Sequence, residues 1–184
     1  MSHSRSPSLI SVIALGLAAS SGCSDPKCGI GDAAADGLVA SSADVTLTFT
    51  TLTAGANNDC PDPAAPAGVT SLTIMGTQEG GTGLFTACVP RPDLLDMQRT
   101  LGTTLTSEFQ IQDVAGTANN CTFSLDRTHI PTGTAQALNL CGNGIDKAGF
   151  ILLVNGFISL TRKCGATTDS IAVGLDGRVA VLPQ

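Results

Sequence analysis

The stretch Phe150-Ile151-Leu152-Leu153-Val154-Asn155-Gly156-Phe157-Ile158-Ser159-Leu160-Thr161 decides the fold. Its first five residues are continuously apolar, as expected for a strand covered on both faces. Asn-Gly is the strongest short hairpin signal, because both central residues of such a turn must accept positive φ. Phe157–Thr161 then reads as the returning strand. Asp176-Gly177 repeats the device between Ile171–Leu175 and Val179–Leu182.

Nearer the amino terminus, Val45, Leu47 and Phe49 alternate with Thr46, Thr48 and Thr50, the period-2 signature of a half-buried strand. The phase slips at Thr50-Thr51, which points to a bulge or a strand end. A turn-rich segment, Ala54 to Gly68, precedes expected strands at Val69–Met75 and Leu84–Val89. Pro90 and Pro92 break the chain, after which Asp93 is placed to cap a short helix from Leu94 to Leu101, ended by Gly102. Further on, Phe109 and Ile111 alternate with Glu108, Gln110 and Gln112, and Cys121, Phe123 and Leu125 with Thr122, Ser124 and Asp126. Tight hairpins and short strands at regular spacing predict an all-β fold, an antiparallel β-sandwich or small barrel with one short helix, stabilised by disulfides.

The amino-terminal segment has a different character. Leu9 to Ala19 is apolar but too short to span a bilayer, which takes about 20 such residues. It suits the core of a signal peptide, and the small residues Ser20-Ser21-Gly22 lead directly to Cys23. Gly22-Cys23 at the end of such a run resembles the lipobox of bacterial lipoproteins. The resemblance implies a signal peptide over residues 1–22 and palmitate-type acyl chains on Cys23. It further implies a mature protein held to the membrane of the cell envelope. Ser24 after the cysteine favours the outer membrane under the sorting rule of Gram-negative lipoproteins. Residues 23–43, rich in Gly, Ala, Ser and Asp, read as a flexible tether, and residues 44–184 as the folded domain. The Thr-rich, six-cysteine body behind this signal resembles the small lipoproteins of myxobacteria, a likeness that implies no activity.

Cysteine parity agrees with the anchor. The chain has seven cysteines, and lipidation of Cys23 leaves Cys28, Cys60, Cys88, Cys121, Cys141 and Cys164, an even set for three bridges. Six cysteines allow fifteen connectivities. Sequential neighbours, Cys28–Cys60, Cys88–Cys121 and Cys141–Cys164, are the expected ones, the last because Cys141 and Cys164 flank the hairpin read at Asn155-Gly156. A bridge from Cys28 would pin the tether to the folded body. No C-x-x-C pair occurs, and His129 is the one histidine beyond the signal segment, so neither a metal nor a redox cofactor is expected.

Composition narrows the partners. Fifteen Asp and Glu against nine Lys and Arg give a net charge of −6, which argues against nucleic acid. Trp and Tyr are absent, which removes the usual hot-spot anchors and stacking platforms. Each of the six Phe residues sits in an apolar run that reads as core.

Two constellations invite chemistry. Asn57-Asn58-Asp59-Cys60-Pro61-Asp62 gathers oxygen side chains that a calcium ion would accept, although these are also the standard turn residues. His129 beside Asp126 and Arg127 suggests a catalytic base, but no Gly-x-Ser-x-Gly elbow accompanies it. Cys141-Gly142-Asn143-Gly144 is similar to the opening of a cysteine-rich repeat of secreted myxobacterial proteins, over four residues only, and reads as a Gly-rich turn. The expected role is therefore structural or interactive, with the membrane and an envelope protein as partners, strand addition at sheet edges as one mode of contact, and no catalysis. A small calcium- or apolar-ligand-binding β module is the alternative, and an envelope hydrolase a third.

Overall fold

The computed structural model describes residues 28–30, 37–141, 145 and 148–184. Cys23, the signal-like segment 1–22 and Gly142-Asn143-Gly144 lie outside the described residues. Among the described residues no helix is long and apolar enough to cross a membrane.

The fold is all-β. Among the described residues ten strands run in order: β1 (Gly37–Ser41), β2 (Thr46–Asn57), β3 (Ser71–Gln78), β4 (Leu84–Val89), β5 (Arg99–Gly102), β6 (Phe109–Ala118), β7 (Cys121–Leu125), β8 (Thr132–Leu138), β9 (Phe150–Cys164) and β10 (Thr167–Pro183). The ladder is continuous around one core, from β10 through β2, β3, β4 and β6 to β7 and β9, and back to β10. The sheet thus packs face on face like a sandwich while closing on itself like a barrel. β1 is wedged between β10 and β2, and β5 and β8 bridge β6 to β9. Two short pairings, β10 with β2 and β5 with β6, are parallel, and the rest are antiparallel. Every described strand has two neighbours along part of its length, while Thr167–Val173 of β10 pairs with β9 alone and keeps one side open.

The decisive stretch folds differently from its reading. β9 continues straight through Asn155-Gly156, and β10 through Asp176-Gly177. The two dipeptides face each other in the middle of one long hairpin, with Asn155 opposite Asp176 and its Nδ2 donating to the carboxylate at 2.7 Å. Neither Asn155 nor Gly156 has positive φ. Gly156 serves close approach instead: a Cβ there would run into the Thr132 carbonyl oxygen of β8 and meet Leu101 Cδ1 at 2.8 Å. The tight turns fall elsewhere. Asn119 and Asn120, at φ 51° and 60°, join β6 to β7, and Gly165, at φ 59°, opens the β9–β10 turn.

The expected helix is also replaced. Pro92–Leu94 form a single 3-10 turn, and Asp93 caps nothing because Arg91 holds its carboxylate. Pro92, Leu95 and Leu101 are buried, and the Leu95 carbonyl accepts the Ala137 N–H at 2.7 Å. Arg99–Gly102 then joins the ladder as β5. Ladder bonds outcompete an isolated helix of this length, which is marginal in water.

Other readings hold. The register of β2 shifts between Phe49 and Thr51, and burial passes from Val45, Leu47 and Phe49 to Leu52 and Ala54. Phe49, Phe85, Phe109 and Phe150 are fully buried, with Phe123 close behind. Phe157, by contrast, stands 63% exposed on the outer face of β9, because the period-2 alternation around buried Gly156 and Ile158 turns it outward. The folded body starts earlier than residue 44: β1 lies within the supposed tether, and its Leu38 and Ala40 are fully buried.

The tight crossing at Gly156 yields a prediction. Gly156→Ala should destabilise the protein by about 1–3 kcal/mol, since its methyl meets backbone with no room to move. Urea unfolding of the two proteins measures this, and an unchanged midpoint would refute the steric role.

Candidate functional site

Antiparallel pairing brings the ends of β2, β4, β8 and β10 to the same end of the barrel as the starts of β3, β6 and β9. Two of the three disulfides lie there, Cys28–Cys141 with Cα atoms 5.6 Å apart and Cys60–Cys88 at 6.2 Å. The third, Cys121–Cys164 at 4.4 Å, ties β7 to the far end of β9. All six expected cysteines are bridged, but none in the sequential pairing. That pairing put Cys141 beside Cys164 because β9 was read as a hairpin. As one 15-residue strand, β9 carries its two ends to opposite ends of the barrel.

At the doubly bridged end, the β2–β3 connection, the β4–β5 connection and the β5–β6 connection form an open cleft of about 350 Å³, within the range of small-ligand sites. Its walls are apolar at Pro61, Pro90, Leu94 and Leu105 and charged at Arg91, Arg99 and Glu108. The Arg91 fork donates to both oxygens of Asp93 at 2.8 and 2.7 Å, which lowers the Asp93 pKa, and Asp62 lies 3.9 Å away. Arg99 donates to the Leu94 carbonyl and to Glu108, both at 2.9 Å. The Glu108 carboxylate also accepts the backbone N–H and the hydroxyl of Thr100, which with Arg99 pull its pKa down. Both guanidinium groups are therefore paired with carboxylates, which offset their charge toward an entering anion. The cleft presents apolar and polar walls in similar measure.

A second cluster centres on Asp126, which is only 8% exposed. Its carboxylate accepts the Ser170 hydroxyl at 2.6 Å, the Thr128 hydroxyl at 2.6 Å, the Thr128 N–H at 2.9 Å and His129 Nδ1 at 3.0 Å. These donors, Ser170 first, hold its pKa well below the usual carboxylate range. In a nucleophile–base chain the imidazole stands between hydroxyl and carboxylate. Here the carboxylate stands between Ser170 and His129, and it anchors the β7–β8 connection onto β10. Arg127 caps the neighbouring gap in the ladder by donating to the Gln112 carbonyl.

The oxygen-rich loop is organised as a turn. Asn57 Oδ1 accepts the Asp59 N–H and the Ser71 hydroxyl, while its Nδ2 donates to Asp59 and Thr73 at 2.6 Å each. Asp62 closes a turn by accepting the Ala64 N–H at 2.8 Å. No cluster of three or more His, Cys, Asp or Glu able to hold a metal occurs among the described residues. Asn58 forms part of the same bend.

The cleft residues and Ser170 escape a reading of the sequence. Asp126 and Ser170 lie 44 positions apart, and no linear spacing links Pro61 to Leu105. Only Arg91-x-Asp93 carried a local signal, a cation and an anion two residues apart. No protein family, curated protein or solved structure matches this chain, so its functional reading rests on its own residues.

Peptide mapping without reduction should recover Cys28–Cys141, Cys60–Cys88 and Cys121–Cys164, and recovery of the sequential pairs would contradict this topology. Asp126 gives a pH prediction. Because its folded-state pKa is depressed, its contribution is complete above the ordinary carboxyl value of about 4 and fades as pH falls toward the folded value. Asp126→Asn should lower the melting temperature by several degrees at pH 7 and flatten its decline between about pH 4 and pH 2. Identical slopes for both proteins would argue against the cluster's role.

Proposed function

We propose that this chain is a lipid-anchored protein of the bacterial cell envelope that works by contact rather than catalysis. The carrying observation is that three bridges use every cysteine except Cys23. That residue closes the signal-like segment, where a thioether to lipid would occupy it. Disulfides persist in oxidising compartments such as the periplasm, in keeping with export. Several acyl chains, at about 0.8 kcal/mol per buried methylene, would hold the protein firmly.

Contact rather than catalysis is favoured by the Asp126 cluster, where the strongest hydrogen bonds serve to hold a loop. Ligand binding at the cleft is the second reading, supported by its size and mixed walls. Calcium in the Asn57–Asp62 loop is less favoured, because the side-chain oxygens already serve the turn. An apolar ligand between the faces would have to displace the four buried phenylalanines.

The test is expression of the full precursor in a Gram-negative host, followed by detergent phase partition and intact-mass analysis. The wild-type protein should enter the detergent phase with acyl mass on Cys23, and Cys23→Ser should move to the aqueous phase. A Cys23→Ser protein that partitions like wild type would overturn the anchor.

A further inference from the structure

Where the anchored chain enters the barrel limits how the body can sit on the membrane. The Cys28–Cys141 bridge fastens Cys28 beside the end of β8, and Gly29 N–H donates to the Asn139 carbonyl at 2.8 Å. Cys23 lies only five residues before Cys28, a reach of at most about 18 Å even fully extended. A chain held only from the first described strand, at Gly37 in β1, would reach about 50 Å from Cys23. The disulfide therefore turns a long tether into a short leash. It also selects which end of the barrel is near the lipid.

That end exposes apolar side chains, as the surface also does at Ile130 and Leu84. It carries Leu182, 44% exposed beside Gly149, and Leu105, the most exposed large apolar residue described, at 85%. Among the described residues the cleft cations there are paired with carboxylates, and the chain as a whole is acidic, so the contact argued here is an apolar one. The opposite end holds the β9–β10 turn at Gly165-Ala166, a strand of 15 residues away, or about 50 Å along β9.

We propose, resting on the lipid-anchor reading, that the Cys28–Cys141 bridge docks this end of the barrel against the bilayer surface. Leu182 and Leu105 then face the headgroups, and the Gly165-Ala166 turn points away. The occupant of this face is the membrane that carries the protein's own anchor.

The chain has no tryptophan, so one introduced indole reports its position alone. Leu182→Trp and Ala166→Trp, each in the full acylated protein, are reconstituted in phosphatidylcholine vesicles bearing a headgroup nitroxide. Quenching should be several-fold stronger for Leu182→Trp. A Gly/Ser insert of about ten residues between Asp25 and Pro26 lengthens the leash without touching the bridge, and should bring the Leu182→Trp signal down toward that of Ala166→Trp. Equal quenching at both positions, or no response to the insert, overturns the docking. If the protein is vesicle-bound and acylated in those cases, only the docking fails. A protein lacking acyl mass overturns the anchor and the docking together.

Discussion

Everything in this barrel hangs on one unbroken hairpin. β9 and β10 pair through 15 consecutive positions, from Cys164 opposite Thr167 to Phe150 opposite Val181. β7 and β8 attach to the outer side of β9, and β1 and β2 to that of β10. A pair this long keeps its twist and register over the whole length of the barrel, so the shorter strands need only match it locally. Glycine at 156 and 177 is the condition for this, because neighbouring backbones pass where side chains would stand.

Closure has two consequences. It shortens the exposed strand edge to segments such as Thr167–Val173 of β10, which pairs with β9 alone, and so reduces the liability that open sheets must manage by other means. It also shares one core among all strands, filled by four fully buried phenylalanines and many short aliphatics. Such a core has little aromatic mass, and covalent links supplement it. The bridges span 113, 28 and 43 residues and staple both ends of the barrel, each contributing about 2–4 kcal/mol by restricting the unfolded chain.

The charged side chains follow the same economy. Arg91 with Asp93, Arg99 with Glu108, and Arg162 with Asp169 each form a close pair at the surface. Exposed pairs of this kind add little to stability, but they fix local geometry. Around the cleft they hold its walls, and at Asp126 a single carboxylate fastens a connection that otherwise has few ladder bonds.

Local chemistry was legible in the residues. Alternation announced the strands, the phase slip at Thr50-Thr51 announced the bulge, and parity announced that six cysteines pair. Partnership was not legible. Asn155-Gly156 has turn chemistry, yet turning requires the chain to reverse there, and three-way pairing with β8 and β10 keeps it extended. The sulfurs found partners by strand direction rather than by nearness along the chain, and the cleft came from loops that share no spacing. The sequence alone determined strand content, the cysteine set and the acidic balance, because these depend on a residue and its immediate neighbours. Only the tertiary structure decided the pairings, the closure and the end at which the chain is stapled, because those depend on which distant segments come to lie side by side.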